Sequence, residues 1–484
     1  MITADNAIIL GLAVPLIVAI LTPLFASRPD IRDCLGPIGG VISLYAAILV
    51  ARAVIGGETP EWFIISISEG LNFSFKVTPL GAIFGLVASG LWIMAAIYSV
   101  GYMRGNKETH QTRFNAFYAV AVHAALAIAW SGNLLVLFIF YEVLTFSTYP
   151  LVIHKQTAEA MRAGRLYMGI LVGTSLMLLL PGVIWVWTAT GSLDFVPGGI
   201  LAGKIDPAYV PWMLALFAFG IGKSALMPIH RWLPAAMVAP TPVSALLHAV
   251  AVVKAGVFTM LMVVVYIFGY DFLAMTGGSV WLIWLASFTI LASSVIAIQK
   301  DDIKARLAYS TISQLSYIVL GAALANELAA KGAALHIVMH ASAKITLFFC
   351  AGAIYVSAHI KNVSQLNGLG YRMPLVFVAF FLGALSIIGI PPLGGSWSKF
   401  FLMAGAAENG MIMVIIVLAV SSLMNVYYLL EPVLRGFYLP EKSRVHVEKL
   451  PLVVIPPVIT AVLCVVLFFV PGPFLSLINL MVMP

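Results

Sequence analysis

Charged residues are scarce in this chain. Lys, Arg, Asp and Glu together make up 9% of the 484 residues, and 62% of the residues are hydrophobic. A typical soluble domain has about 25% charged residues. The mean hydropathy of +1.05 agrees with this contrast. The composition excludes a large soluble enzyme and predicts an all-α polytopic membrane protein with a single membrane domain over residues 1–484.

Cysteine is also scarce. The three cysteines, Cys34, Cys350 and Cys464, are too scattered to match the spacing of zinc sites, iron–sulfur clusters or redox pairs. The sequence contains no nucleotide-binding loop, nucleophile elbow or haem motif. We therefore expect no cofactor and no bound metal. Any redox or hydrolytic energy has to come from other subunits.

Long apolar runs dominate what is present. Residues 1–6 include no base, so the first run lacks the positive flank of a signal peptide and is expected to remain as a span. A helical span needs about 20 apolar residues, and this length predicts about fourteen transmembrane helices. They lie near residues 7–26, 37–55, 80–103, 113–130, 133–152, 165–188, 211–238, 241–265, 280–298, 306–325, 330–357, 373–407, 411–437 and 452–480.

The basic residues give an orientation. With the N-terminus outside, eighteen of the 26 Lys and Arg residues fall in inner loops and four lie inside spans. The outer loops hold only Arg52, Lys76, Lys204 and Lys331. This bias predicts a multi-pass protein of the cell inner (plasma) membrane with both termini on the outer side. The net charge of +7 is explained by orientation and predicts no nucleic-acid partner.

Two of the predicted spans are interrupted. Pro228 and Pro234 break the segment that follows Lys223, and Pro391 and Pro392 break the segment before Lys399. Discontinuous helices at corresponding places in two halves indicate inverted repeats around a transport site. The alternative is that these prolines only kink membrane helices. The nearby lysines favour the transport site.

Four lysines and one carboxylate stand out inside predicted spans, namely Lys223, Lys254, Lys344, Lys399 and Glu142. Each costs about 2.5–3.5 kcal/mol on insertion scales, so each is a candidate functional group. If Lys223 approaches Glu142, each charge stabilises the other, and separating them would take up or release protons. The alternative is a static buried ion pair that joins two helices.

Histidines accompany two of these lysines. His248 and Lys254 share a span but lie six residues apart, so they are expected to face different neighbours. His336, His340 and Lys344 occupy positions i, i+4 and i+8 and form one polar stripe. Two histidines can bind a metal, but no third ligand is near and the lysine disfavours a cation.

For other polar groups, the sequence gives weaker support for a functional role. The hydroxyls of Ser310 and Ser313 can extend a hydrogen-bonded chain, although serines in membrane helices more often serve packing. Lys399 is expected to be the last intramembrane group before an exit. Glu431 is expected to be interfacial and to pair with Arg435 at i+4.

Several motifs together resemble a known family. They are Lys223-Ser-Ala, Pro228-x-His-x-Trp-Leu-Pro, Ala239-Pro-Thr-Pro-Val-Ser-Ala-Leu-Leu-His, Val253-Lys-Ala-Gly, Gln299-Lys-Asp-Asp-Ile-Lys, and Gly389-Ile-Pro-Pro through Ser398-Lys399. Over residues 80–440 the chain resembles the antiporter-like subunits shared by Mrp cation/proton antiporters and respiratory complex I. In length and in the segment from Pro391 to Lys399 it is most similar to the D-type member of the Mrp antiporters.

The resemblance implies an architecture. It implies fourteen helices, with helices 7 and 12 broken and two inverted five-helix repeats. The predicted divisions are residues 1–104 for helices 1–3, 113–265 for the first repeat, 280–437 for the second repeat and 452–484 for helix 14. Because the chain ends soon after that helix, we expect neither a long lateral helix nor an extended tail.

The resemblance also implies a function. Glu142, Lys223, Lys254 and Lys399 match the family's functional groups, with His248, His336 and Lys344 connecting them. The chain is predicted to be a proton-translocating component of a multisubunit Na+/H+ antiporter, not an enzyme, with other membrane subunits as partners. Sodium is inferred from the family alone. The alternatives are a pump module of an NADH-quinone oxidoreductase or membrane-bound hydrogenase, hence part of a translocase, and a scaffold with fossil charges.

Overall fold

Helices make up most of the structure. The computed structural model describes residues 2–440 and 446–482, apart from the side chains of residues 247 and 248. The α-helices of this part of the chain are α1 (Ala4–Leu24), α2 (Pro29–Ile55), α3 (Pro79–Gly105), α4 (Gln111–Ala129), α5 (Leu134–Val152), α6 (Ala158–Thr174), α7 (Leu180–Thr190), α8 (Val210–Gly220), α9 (Trp232–Ala235), α10 (Thr241–Ala245), α11 (Val252–Met262), α12 (Tyr270–Thr276), α13 (Val280–Gln299), α14 (Ile303–Ala323), α15 (Glu327–Ala358), α16 (Pro374–Ile388), α17 (Gly395–Glu408), α18 (Ile412–Tyr438), α19 (Pro451–Phe469) and α20 (Gly472–Val482).

The membrane class is confirmed. Within the described residues, ten helices are long and apolar enough to cross a membrane. They are α1 to α5, α6 joined to α7, α13, α15, α18 and α19. α6 continues into α7 through the π-helical turn Ser175–Leu179, which makes one 33-residue helix. Helix also occupies part of every other predicted segment.

Both predicted breaks are present. α8 ends at Gly220, and the chain then runs through short 3₁₀ turns, with Ala225 in the left-handed region, before α9 begins. α16 ends at Ile388, Gly389 has φ of +90°, and α17 begins at Gly395. Proline cannot donate the backbone hydrogen bond that a continuing helix needs.

Two predicted segments differ from the structure. Residues 452–480 are not one helix, because Pro471 and Pro473 flank Gly472 and divide the segment into α19 and α20. The segment predicted for 241–265 starts with the short α10 and includes π-helical turns at Leu246–Val250 and Val263–Phe268. The apolar pattern located these segments but not their internal irregularity.

A β-hairpin was not predicted. β1 (Glu61–Ser68) pairs antiparallel with β2 (Leu71–Lys76) in the connection between α2 and α3. Trp62 and Phe75 stack across it, with ring centroids 5.7 Å apart. Gly70 at the turn has φ of +78°, which glycine adopts without strain. The alternation in this short stretch was the available sequence signal.

α15 forms the centre of the second half. It packs against α3, α14, α16, α17 and α19, and its most apolar stretch is entirely buried. Gly332 permits the close contact with α17, since a Cβ there would lie 2.7 Å from the backbone nitrogen of Leu402. One turn later, this contact brings His336 beside Ser398.

Candidate functional site

Lys223 is fixed by the break after α8. Its side chain is fully buried. Its Nζ donates to the carbonyl oxygen of Tyr141 at 2.7 Å and to Oγ1 of Thr145 at 2.6 Å. The same Nζ lies 3.1 Å from the centroid of the Tyr141 ring. A cation over an aromatic face is attracted by the ring quadrupole. The ammonium is thus held by neutral groups of α5.

Close packing makes this position possible. The backbone N–H of Lys223 donates to the Tyr141 hydroxyl at 3.1 Å. Gly256 of α11 lies against the same turn, because a Cβ on it would be 2.4 Å from the Lys223 carbonyl carbon. A larger residue at 256 would displace the turn. The lysine backbone is therefore clamped between α5 and α11.

Glu142 does not pair with Lys223 in this structure. Among the described contacts, no ion pair within 4.0 Å joins them, so the static ion pair considered from the sequence is not formed. Both Glu142 carboxylate oxygens are buried without a hydrogen-bond partner in the described part of the chain. Glu142 directly follows Tyr141 in α5, and the Tyr141 carbonyl oxygen accepts from the Lys223 Nζ. The carboxyl group is therefore next to a Lys223 acceptor along α5 but does not bind the lysine.

Lys254 and His340 contact each other across two helices. Lys254 on α11 is fully buried, and its Nζ forms a hydrogen bond with Nδ1 of His340 on α15. The predicted role of His248 concerns a side chain outside the described residues. The Lys254–His340 contact could not be predicted from the sequence, because the two residues are 86 positions apart.

The predicted stripe on α15 faces three different helices. The rings of His336 and His340 stack with centroids 5.8 Å apart. Nδ1 of His336 lies 2.8 Å from Oγ of Ser398 on α17, and its Nε2 has no hydrogen-bond partner among the described residues. Lys344 donates from Nζ to Oγ of Ser310 on α14 at 2.6 Å. The stripe joins α11, α14 and α17.

Lys399 caps the broken helix from inside the protein. Its Nζ donates to the carbonyl oxygen of Ile388 at 2.9 Å and to Oγ of Ser422 on α18 at 2.8 Å. The last carbonyls of a helix have no partner within the helix and carry partial negative charge. Its Nζ also lies 5.1 Å from the Tyr317 ring centroid. The second break thus supplies a binding site for its lysine.

These contacts share one chemical property. The four lysines contact carbonyl oxygens, hydroxyls, aromatic rings and one imidazole. A hydroxyl can accept from an ammonium and donate to a neutral amine. Such partners accommodate both protonation states, as a proton relay requires. Within the described residues, no group of three His, Cys, Asp or Glu side chains could hold a metal.

Sequence reasoning missed most of the partners. Tyr141 and Thr145 lie on either side of Glu142 in α5, but they were not singled out. Ser398 and Ser422 were also missed, although each lies near a named lysine in sequence or in space. Hydroxyls one helical turn apart were the available signal, and serine is too common in membrane helices to identify a site.

An ion cluster lies away from these lysines. Glu431 on α18 accepts from Arg435 at 2.8 Å, which confirms the predicted i,i+4 pair. It also accepts from Arg306 of α14 at 2.8 Å. The Arg306 guanidinium is buried and also donates to the Tyr428 carbonyl at 3.1 Å. This cluster ties α14 to α18.

The amino-acid sequence matches two family models and a number of known proteins. Residues 131–425 match the family described as "NADH:quinone oxidoreductase/Mrp antiporter, TM". Residues 62–115 match "NADH-Ubiquinone oxidoreductase (complex I), chain 5 N-terminus". The chain is 30% identical over 431 residues to the N subunit of the NADH-quinone oxidoreductase of Desulforudis audaxviator (strain MP104C), a match that covers 87% of this chain and 84% of the relative.

Antiporter proteins match over less of their own length. The chain is 31% identical to the A/B component of a probable K(+)/H(+) antiporter of Rhizobium meliloti (strain 1021), covering 84% of this chain and 41% of that protein. It is 29% identical to the A1 component of a Na(+)/H(+) antiporter of Staphylococcus aureus (strain JH9), covering 81% and 50%. The chain thus spans half or less of these two relatives.

Two solved structures share the fold. A chain of the Mrp complex from Dietzia sp. DQ12-45-1b superposes with a TM-score of 0.87 at 22% identity, over 99% of this chain and 97% of that chain. A chain of the membrane-bound sulfane sulfur reductase (MBS), an archaeal respiratory membrane complex, gives 0.84 at 22% identity, over 98% and 96%.

Proposed function

Because this chain belongs to the membrane-subunit family of NADH:quinone oxidoreductases and Mrp antiporters, we propose that it translocates protons in a multisubunit Na+/H+ antiporter, as the component of the Mrp D type. The proposal makes it part of a secondary transporter. Its partners are H+, Na+ and the other membrane subunits of the complex.

The buried lysines carry this proposal. Lys223, Lys254 and Lys344 are fully buried, and Lys399 is 5% exposed. An intramembrane ionisable residue is costly, and in transporters such residues mark ion and proton pathways. This chain buries four lysines, and their partners include hydroxyls that can bind both the ammonium and the amine form. Helix packing alone does not require such groups. Their arrangement supports proton transfer through the protein and argues against a scaffold with fossil charges.

The proposed route begins at Lys223. Glu142 favours the ammonium form of Lys223 when the two side chains approach, and the proton is released when they separate. Lys254, His340 and His336 then relay the proton toward Lys399, with His248 and Lys344 as connecting groups. Lys399 passes it to the opposite side of the membrane. Imidazole suits this role because it can accept and donate protons near neutral pH.

We also propose the finer architecture. Fourteen segments cross the membrane, and residues 113–265 and 280–437 form inverted five-helix repeats around the breaks at Lys223 and Lys399. Residues 1–104 form helices 1–3, and the helix 14 region lies in 452–484. The position of one break in each half supports this division.

The proposed location is the plasma membrane, with both termini on the outer side. Cys34 tests this orientation because it is exposed near the start of α2, whereas Cys350 and Cys464 are buried. A membrane-impermeant maleimide should label Cys34 in everted vesicles and not in right-side-out vesicles. Labelling only in right-side-out vesicles would reverse the orientation. A Cys34→Ser variant provides the background signal.

Cation-induced proton movement tests the transport function. Everted vesicles that contain the whole complex are given sodium or potassium while respiration sustains an equal pH gradient in every sample. Sodium should collapse the gradient with the native chain and not with Lys223→Ala or Glu142→Ala, at equal complex content. If neither cation changes the native gradient, the antiporter proposal is wrong.

The second candidate is a proton-pump module of a redox-driven complex. The coverage of the relatives favours it, since the N subunit of the quinone oxidoreductase matches over 84% of its length and the antiporter proteins over 41% and 50%. In that case the chain would be part of a translocase, either an NADH-quinone oxidoreductase or a membrane-bound hydrogenase. Proton movement that stops with a quinone-site inhibitor and ignores sodium would select this candidate.

A further inference from the structure

A second polar connection runs beside the histidines. It passes through hydroxyls of α13, α14 and α18, and all but one of its members are buried. We call this set the hydroxyl branch: Ser310, Tyr428, Ser294, Ser421, Tyr317 and Ser422. We propose that the hydroxyl branch carries protons between Lys344 and Lys399 in parallel with the histidine branch, which consists of His340, His336 and Ser398. This inference rests on the proposed function.

The branch begins at Lys344. The Lys344 Nζ donates to Oγ of Ser310 at 2.6 Å. The hydroxyl of Tyr428 contacts the same Ser310 oxygen at 3.0 Å and Oδ1 of Asn425, and can donate its one proton to either acceptor. Lys344, Ser310, Tyr428 and Ser294 are all fully buried. These contacts lead from α15 through α14 to α18, where Ser421, Asn425 and Tyr428 follow one another at helical spacing on one face.

Two members of the branch, Ser294 and Ser421, form its middle together with the neighbouring Ser313. Oγ of Ser294 lies 3.1 Å from Oγ of Ser313 and 3.3 Å from Oγ of Ser421, and the last two are 3.4 Å apart. All three are fully buried. Serines that only pack bond their own helix backbone, whereas these three also meet across three helices. Ser421 is the serine from which the branch continues to Tyr317.

The branch ends at Lys399. The Tyr317 hydroxyl donates to the Leu418 carbonyl at 3.3 Å, one helical turn before Ser421 and Ser422 on α18. Ser422 accepts from the Lys399 Nζ at 2.8 Å. In the proposed branch, the Tyr317 hydroxyl turns from the Leu418 carbonyl toward these serines to connect the two ends. The break before Lys399 and the stripe on α15 are joined by both branches.

The histidine branch has a gap of its own. The His336 and His340 rings are stacked, with centroids 5.8 Å apart, instead of joined edge to edge by a hydrogen bond. Nε2 of His336 has no hydrogen-bond partner in the described part of the chain. Proton transfer between the rings therefore needs a water molecule or a ring movement. A parallel connection lets protons pass while the rings are stacked.

The transfer balances without a co-reactant. The Lys344 ammonium gives a proton to Ser310 and becomes an amine. Each hydroxyl accepts a proton from the group behind it and passes its own proton forward, so its composition is unchanged and its orientation is reversed. Ser422 finally gives a proton to the amine of Lys399, which becomes an ammonium. The net change is one proton moved between two lysines.

Ser421→Ala interrupts the branch at its narrowest point. It removes one hydroxyl between the serine cluster and Tyr317 with little change in volume. Ser421→Thr keeps the hydroxyl and serves as the rescue variant. Ser287→Ala is the matched control, because Ser287 is also a buried serine and its hydroxyl has no hydrogen-bond partner among the described residues. His336→Phe interrupts the histidine branch and preserves an aromatic ring.

The experiment measures proton entry driven by a membrane potential. The purified whole complex is placed in liposomes, and a potassium diffusion potential drives protons inward past a pH-sensitive dye. This readout needs neither sodium nor an electron donor, so it separates the hydroxyl branch from the identity of the driving reaction. A sodium-dependent assay on the same liposomes tests the proposed antiport independently.

Parallel branches predict a specific pattern of rates. Ser421→Ala should retain about two thirds of native proton entry, His336→Phe about one third, and the double variant less than about one tenth, as expected when two lesions remove separate contributions. Ser421→Thr and Ser287→Ala should match the native rate. Tyr317→Phe should repeat the effect of Ser421→Ala, which keeps the test valid if one variant fails to assemble.

Three results would overturn the inference. The first is that Ser421→Ala and Tyr317→Phe change the rate in neither the native nor the His336→Phe background. The second is that His336→Phe alone abolishes proton entry, because the hydroxyls then carry nothing. The third is that native liposomes admit protons no faster than empty ones. Absence of sodium dependence alone would count against the antiporter proposal only.

Discussion

The two broken helices hold their lysines in different ways. Lys223 is bound by Tyr141 and Thr145 of helix α5, and Glu142 lies between these two residues in the same helix. Lys399 is bound by the carbonyl of Ile388 at the end of its own broken helix and by Ser422 of α18. Both lysines lie next to a proline-containing helix break, but the groups that surround the two ammonium groups differ.

The difference indicates a division of labour. A lysine beside an unpaired carboxylate changes its proton affinity when the distance between the two charges changes. A lysine held by a helix-end carbonyl and a hydroxyl has no such variable partner among the residues that bind it. The first half is thus suited to respond to a conformational signal. In the proposed route, the second half passes the proton onward.

The largest expected effect is the loss of either lysine. Lys223→Ala and Lys399→Ala should each lower proton transport by about a hundredfold, the lower end of what a positioned proton-transfer group contributes. Everted vesicles that contain equal amounts of complex provide the measurement. Transport that survives Lys399→Ala but not Lys223→Ala would mean that the second break is structural, and the comparison would fail.

A glycine substitution at the first break should have the next largest effect. Gly256→Ala would place a Cβ 2.4 Å from the Lys223 carbonyl carbon. An overpacking cost of about 2 kcal/mol corresponds to a fall of about thirtyfold in the folding equilibrium constant, so less complex should assemble. The amount of assembled complex on native gels is the readout. Gly169→Ala is the control, since a Cβ there meets nothing within 4 Å; equal assembly of both variants would contradict the clamp.

Glu142→Gln should affect the first half of the protein more than the second, and so it tests the comparison most directly. It preserves the shape of the side chain and removes the charge beside Lys223, so sodium-dependent transport should fall by about tenfold, equivalent to one pKa unit of interaction between the two groups. Voltage-driven proton entry through the second half should change less. Glu327→Gln is the control, because Glu327 is exposed and pairs only with Lys331 among the ion pairs of the described residues. An unchanged rate in Glu142→Gln would show that the carboxylate does not control Lys223.

Sequence analysis located the elements of this comparison but not their contacts. Apolar length placed the helical segments, and the proline pairs placed both breaks, because these signals are local. The scarcity of charge made the four lysines conspicuous. Lys254 and His340, however, meet only because α11 packs against α15. Such a contact depends on the arrangement of helices that are distant in sequence.

The absence of a Glu142–Lys223 ion pair from the described contacts shows the same limit. Two opposite charges inside predicted membrane helices favour an ion pair between them. In the folded chain, the Lys223 ammonium instead reaches a carbonyl and a hydroxyl on the same helix, at positions 141 and 145. These positions are one helical turn apart and form a pair of acceptors. Backbone carbonyls do not show in a pattern of side-chain types, and so this site was not predicted.

The smallest expected effect comes from the hydroxyl that binds each lysine. Thr145→Val and Ser422→Ala each remove one acceptor and leave the carbonyl partner of Lys223 or Lys399 in place. A hydrogen bond to a charged group contributes about 1.5–3 kcal/mol. Partial replacement by water or by the remaining carbonyl should reduce the effect on transport to about threefold. Thr145→Ser keeps the hydroxyl and should transport at the native rate. A loss confined to Thr145→Val would show that hydroxyl binding matters only where a carboxylate is nearby, because there the lysine must change its protonation state in response to a moving charge.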